Sequence, residues 1–145
     1  MIRPVAPVPS PSGDVDAGAE IKDFPDLVTA GRRAQVVFGL EAVYNSVITH
    51  VPLRRLRRAW LTMVGATLEP GASVFRGVQI INGRGLRIGA RSSVGSRTYL
   101  DARGGIDIGS DVNIGSDTHI ITADHDLKSP GFEERFSAVR LGDHA

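Results

Sequence analysis

The sequence predicts a mostly β chain. A hexapeptide β-solenoid over 63–145 follows a short helical region over 24–62 and a disordered N-terminal tail over 1–23. Three observations predict it. Glycine recurs every six residues at Gly65, Gly71, Gly77, Gly83, Gly89 and Gly95, and the spacing returns at Gly109 and Gly115. Aliphatic residues keep the same period. Val64, Ile88, Val94, Ile108, Ile114 and Ile120 stand directly before the glycine position, and Leu68, Val74, Ile80, Leu86, Val112 and Thr118 stand two residues ahead of such a position. Residues two apart on a strand share a face, so each pair points to one interior. Upstream of Gly65 the apolar spacing becomes helical instead. A six-residue rung is too small to bury its apolar face alone and must stack on others like it.

Taken in order, residues 1–23 hold Pro4, Pro7, Pro9 and Pro11 with Ser, Gly and Asp. No apolar run there is long enough for a signal-peptide core, so a disordered tail and a cytoplasmic location are expected. From Asp26 to Val51, Val36, Leu40, Val43, Val47 and Val51 recur at helical spacing, with Tyr44 and Ile48 beside them. Pro25 precedes this helix and Pro52 ends it. Arg32, Arg33, Glu41 and Asn45 interrupt its apolar content and exclude a transmembrane span. A second helix runs from Leu53 to Leu61, with Leu53, Leu56, Trp60 and Leu61 on one face and Arg54, Arg55, Arg57 and Arg58 on the other. The arginine face reads either as the solvated side of a helix capping the first coil or as peripheral attachment to an anionic membrane or phosphorylated ligand.

Three hexapeptides close one coil, so the repeat makes about three to four coils. The early rungs place Pro70, Arg76 and Asn82 at the first inward position. The register slips by two residues between Gly95 and Gly109, at a small corner loop over Leu100–Gly105. The repeat ends at His125-Asp126. A loop over 127–140 follows, with Pro130, Gly131 and the run Phe132-Glu133-Glu134-Arg135-Phe136, whose glutamates read as solvated. Leu141-Gly142-Asp143 restarts the hexapeptide before Ala145.

Composition narrows the chemistry. A hydrophobic fraction of 41% and a formal net charge of +1 give no strong pull toward nucleic acid. The absence of cysteine excludes a disulfide framework, a zinc ribbon and a thiol nucleophile. His119 and His125 have no third histidine on the preceding coils, so no metal site is expected.

The stretch LDARGGIDIGSDVNIGSDTHIITADHD, followed by a loop and LGD, resembles the hexapeptide-repeat acyltransferases. The resemblance is closest to the branch of maltose, galactoside and colanic-acid O-acetyltransferases, and it covers about residues 44–145. It implies a left-handed parallel β-helix that forms a homotrimer with active sites between neighbouring subunits. It implies acetyl transfer from acetyl-CoA, as co-substrate, to a hydroxyl of a sugar or polysaccharide acceptor, or in some branches to an amine. The family's catalytic histidine maps onto His125. Its substrate-contacting polar residues fall near Asp101 and Arg103. Family members continue for several coils past the rung at Leu141, and those coils form much of the CoA groove. The resemblance therefore implies a C-terminally truncated chain. The alternatives are a non-catalytic remnant of such an enzyme and a membrane-surface or scaffold module working through its arginine-rich helix.

The chemistry suits the residue type. An alcohol attacks a thioester only as a base removes its proton, and histidine titrates near neutrality. Direct transfer needs no serine or cysteine nucleophile. Beside His125, Asp126 either orients the imidazole or forms a turn. His119 is expected at an outward position, exposed or lining the acceptor pocket.

Overall fold

The computed structural model describes residues 31–145. The expected tail over 1–23 and the expected helix start at Asp26 lie outside the described residues. Two helices come first, α1 (Arg32–Ser46) and α2 (Arg54–Met63), joined through a 3-10 turn over Ile48–His50. The short strands β1 (Thr67–Leu68), β2 (Ser73–Val74), β3 (Gln79–Ile81), β4 (Leu86–Ile88), β5 (Ser93–Val94), β6 (Tyr99–Asp101), β7 (Ile106–Ile108), β8 (Asn113–Ile114) and β9 (His119–Ile121) follow. The chain visits three parallel sheets in rotation, with orders β1-β4-β7, β2-β5-β8 and β3-β6-β9. Partners stand twenty residues apart: Leu68, Ile88 and Ile108 share one row, Val74, Val94 and Ile114 a second, Ile80, Leu100 and Ile120 a third. This mostly parallel β architecture with a short helical part is compatible with a β-helix.

The course length corrects two expectations. Each course takes twenty residues rather than three hexapeptides, because the two-residue slip occurs twice: within the expected loop, though only over Ala102–Gly105 because Leu100 and Asp101 belong to β6, and also at Asn82–Gly85, where a 3-10 turn over Gly83–Gly85 precedes β4. Pro70, Arg76 and Asn82 therefore lie at corners, and Leu68, Val74 and Ile80 point inward. The unbroken glycine run hides the slip because it joins two different corner positions. Gly71 and Gly77 have φ of 80° and 75°; one course on, Arg91 and Arg97 hold the same left-handed corner at 58°, and Asp111 and Asp117 hold it at 58° and 60°. Gly89 and Gly95 instead follow an inward residue, where the next course passes close by. A Cβ on Gly95 would lie 2.5 Å from the Ser116 nitrogen.

Between the sheets, Ile80, Leu86, Ile88, Val94, Leu100, Ile106 and Ile108 are fully buried. Each such side chain contributes roughly 1.5–3 kcal/mol by leaving water. Outside, Arg91 pairs with Asp111 and Arg97 with Asp117 along the corners, at 2.5 and 2.6 Å. These guanidinium hydrogen bonds hold both carboxyls below the ordinary aspartate range.

The helices close the first course, where no earlier strand among the described residues satisfies the backbone. Asn45 acts as a peptide mimic: its Nδ2 donates to the Ile80 carbonyl at 2.8 Å and its Oδ1 accepts from the Ile80 N–H at 2.9 Å. Thr49 donates to the Val78 carbonyl, and Glu41 accepts from the N–H groups of Asn82 and Gly83. This polar row, with Glu41 and Asn45 four apart on α1 and Thr49 in the 3-10 turn that follows, sets the helix rotation. Leu40, Tyr44 and Ile48 consequently pack inward, while the expected Val36, Val43 and Val47 are exposed.

The same need for donors reorients α2. Arg57 is only 4% exposed and donates to the Val74 carbonyl at 3.2 Å and to the Val51 carbonyl. Arg58 donates to the carbonyls of Leu68, Glu69 and Ala72 at 2.8–3.1 Å. Arg57 and Arg58 therefore do not share the solvated face expected for all four arginines, and Leu53 and Leu56, expected inward, are exposed.

Candidate active site

After β9 the chain leaves the rotation. β10 (Ala123–His125) pairs antiparallel with β11 (Glu134–Phe136), and β12 (Val139–Leu141) then returns to β7. The loop expected over 127–140 thus contains one strand and most of another. Thr122 roots this hairpin on the preceding course. Its hydroxyl donates to the Asp101 carbonyl at 2.6 Å and accepts from the Gly104 N–H at 2.7 Å. Leu141 lies beside Ile108, so the hexapeptide does restart there.

His125 ends β10 and is exposed. Its Nδ1 stands 2.9 Å from the Phe132 carbonyl oxygen. A carbonyl only accepts, so this bond requires the proton on Nδ1 and leaves the Nε2 lone pair free. The Phe132 ring stands beside the imidazole, with centroids 6.2 Å apart. Phe132 itself has φ of 51°, a left-handed conformation uncommon for an aromatic residue. The tip is held by its own bonds: Phe132 N–H to the Ser129 carbonyl, and Asp126 N–H to the Glu133 carbonyl at 2.9 Å. Asp126 Oδ1 accepts from the Lys128 N–H at 2.9 Å. Of the two roles open to Asp126, the observed bond is the turn-forming one.

Asp101 and Arg103 occupy the corner beneath the hairpin. Asp101 is 2% exposed. It receives Arg103 Nε at 3.0 Å, Nη2 at 2.8 Å and the Arg103 backbone N–H at 3.2 Å. The bond to Asp101 raises the pKa of Arg103 further. Arg103 also stands 3.6 Å from Glu134 and 6.0 Å from the Phe136 ring centroid. In the antiparallel register Glu134 lies directly opposite His125. Side chains opposed in this way share a face, so a continuous polar row runs Asp101–Arg103–Glu134–His125. On the other face Arg135 pairs with Asp124 at 2.6 Å and holds that carboxyl below its ordinary range.

His119 is exposed on β9, as expected, and its ring lies tilted by 50° against that of Tyr99 one course earlier, at 5.7 Å between centroids. Reasoning from sequence missed three parts of this site: the Phe132 carbonyl, Glu134 and Tyr99. Tyr99 precedes His119 by one course of twenty residues, so the correct course length would have found it. Glu134 carried no signal, since its position depends on the hairpin register. Comparison with known proteins gives no match: no family model fits the chain, and neither a curated relative nor a solved structure matches it.

Proposed function

We propose that the three parallel sheets are the sides of a left-handed β-helix and that the chain is an acetyl-CoA-dependent O-acetyltransferase acting on a sugar or polysaccharide hydroxyl. The observation that carries this reading is the His125 imidazole, with Nδ1 bound to the Phe132 carbonyl and Nε2 unengaged. In this role Nε2 takes the proton of the acceptor hydroxyl as its oxygen attacks the thioester carbonyl. The C–S bond then breaks, and the imidazolium returns the proton to the departing thiolate. Such a base contributes about 10²- to 10⁴-fold. The left-handed reading draws support from the two- and three-residue strands and the column of left-handed corners at Gly71, Arg91, Asp111 and His144.

The homotrimer belongs to the same proposal. Leu127 and Phe132, 78% and 58% exposed, lie in the loop that carries His125, and Ile121 is exposed just ahead of β10. Apolar side chains gathered at a polar site favour cover by a neighbouring subunit. The direct test incubates the protein with acetyl-CoA and a panel of sugars and reads thiol release. The chain has no cysteine and so contributes no background. Acceptor-dependent release is expected; silence with every hydroxyl acceptor overturns the reading.

A further inference from the structure

We infer that the first turn of α2 docks the protein on an anionic lipid surface. Pro52, Leu53, Arg54, Arg55 and Leu56 are all exposed, with Leu53 at 63% and Leu56 at 38%. Exposure of consecutive residues around a helical turn means that the turn projects from the body. Leu53, the residue that caps the helix, and Leu56 in its first turn flank two arginines in sequence. Among the described residues neither Arg54 nor Arg55 forms a salt bridge. With Arg58 they line a cleft of about 230 Å³ over Gly71–Val74.

Among the described residues, the exposed charge of the helical part has one sign. Between residues 31 and 63 the acids reduce to Glu41, and its carboxylate faces inward onto the Asn82 and Gly83 N–H groups. The exposed charges of the helical part are Arg32, Arg33, Arg54 and Arg55. A bare polyanion would use the guanidiniums and leave Leu53 and Leu56 in water. A second copy meeting through this face would set guanidinium against guanidinium. An anionic bilayer takes both groups, with phosphates for the arginines and the headgroup–acyl boundary for the leucines. Among the described residues no helix is long and apolar enough to cross a membrane, so this contact lies on the surface.

The test is co-sedimentation of the full chain with phosphatidylcholine vesicles and with the same vesicles carrying phosphatidylserine. Binding is expected to the anionic vesicles alone and to weaken as salt rises. Replacing both arginines, Arg54→Gln with Arg55→Gln, is expected to reduce partitioning about thirtyfold. Leu53→Ser with Leu56→Ser is expected to weaken binding at every salt concentration. Circular dichroism on each variant confirms that the fold is kept. No binding to anionic vesicles overturns the inference. So does binding that ignores the leucine substitutions, which assigns the face to a soluble polyanion such as nucleic acid. Self-association lost on the same substitutions, without vesicle binding, assigns it to a second copy. Vesicle binding that appears only after removal of residues 1–30, which carry Asp14, Asp16, Glu20, Asp23 and Asp26, assigns it to that acidic segment and equally overturns the inference.

Discussion

At the helical end of the sheets, the backbone of β1, β2 and β3 meets Arg57, Arg58, Asn45, Thr49 and Glu41. At the opposite end β12 covers β7, while β8 and β9 have no further strand among the described residues. There the Asn113 N–H reaches the Ala145 carbonyl at 3.1 Å. The polar groups are used differently at the two ends. In the cap, guanidiniums and a carboxamide replace a missing strand. At the site end, Nε2 of His125 and the ring of His119 stay available, and hairpin and corner residues hold the histidine's surroundings in place. Side chains that bond the sheet backbone gather at one end, and the candidate site lies at the other.

The largest effect should come from the cap. Arg57→Met removes the donors from the buried Val74 carbonyl and is expected to cost about 3 kcal/mol, since an unsatisfied buried acceptor loses its full partner energy. The midpoint of urea unfolding measures it. Arg57→Lys should recover little, because an ammonium lacks the planar fork. A midpoint equal to that of the wild type would remove Arg57 from the cap.

Gly95 and Gly115 give a matched pair, one course apart at the same corner. A Cβ on Gly95 meets the Ser116 nitrogen at 2.5 Å, whereas on Gly115 the nearest atom is the Thr118 hydroxyl at 4.0 Å. Gly95→Ala is expected to cost about 1–3 kcal/mol, and Gly115→Ala to stay within about 0.5 kcal/mol. Equal losses in thermal unfolding would mean that something covers the β8 edge in solution.

Asn45→Ala tests the peptide mimic. It leaves the Ile80 N–H and carbonyl without partners, at an expected cost of about 1–2 kcal/mol. The change should also raise amide exchange locally at Ile80. Exchange there at the wild-type rate would count against the cap.

The smallest effect belongs to the exposed corner pairs. Asp111 and Asp117 titrate below their ordinary value of 3.8 because Arg91 and Arg97 bind the ionised form. Their contribution is therefore complete above that value and is lost as pH falls through the depressed one. The melting temperature between pH 5 and pH 2, compared with Asp111→Asn plus Asp117→Asn, should show a shallower acid loss in the variant, and salt should shrink the difference.

The inward aliphatic residues Leu68, Val74, Ile80, Leu86, Ile88, Val94, Ile108 and Ile114 were legible in the sequence. Pro70, Arg76 and Asn82 were misplaced inward, because glycine serves two corner roles at the same spacing, and Leu100 was hidden in the expected corner loop. The cap was not legible. Arg57 and Arg58 look like a solvated face to any reading based on hydrophobic period, since backbone carbonyls of an uncovered strand leave no mark in the sequence. Valine at 36, 43 and 47 outvoted Glu41, Asn45 and Thr49, which set the rotation of α1 through hydrogen bonds. At the candidate site, the structure brings the expected Asp101–Arg103 corner beside Glu134, which lies opposite His125. The Phe132 carbonyl that fixes the imidazole proton depends on the hairpin's path, which no local pattern encodes.

The measurement that bears most directly on the function is acetyl transfer by His125→Ala beside the wild type, with acetyl-CoA and the best acceptor found. The imidazole is exposed and adds little packing, so the variant should unfold at the wild-type midpoint while kcat/KM falls about 10²- to 10⁴-fold. A folded variant that transfers acetyl at the wild-type rate would contradict the assignment of His125 as the base.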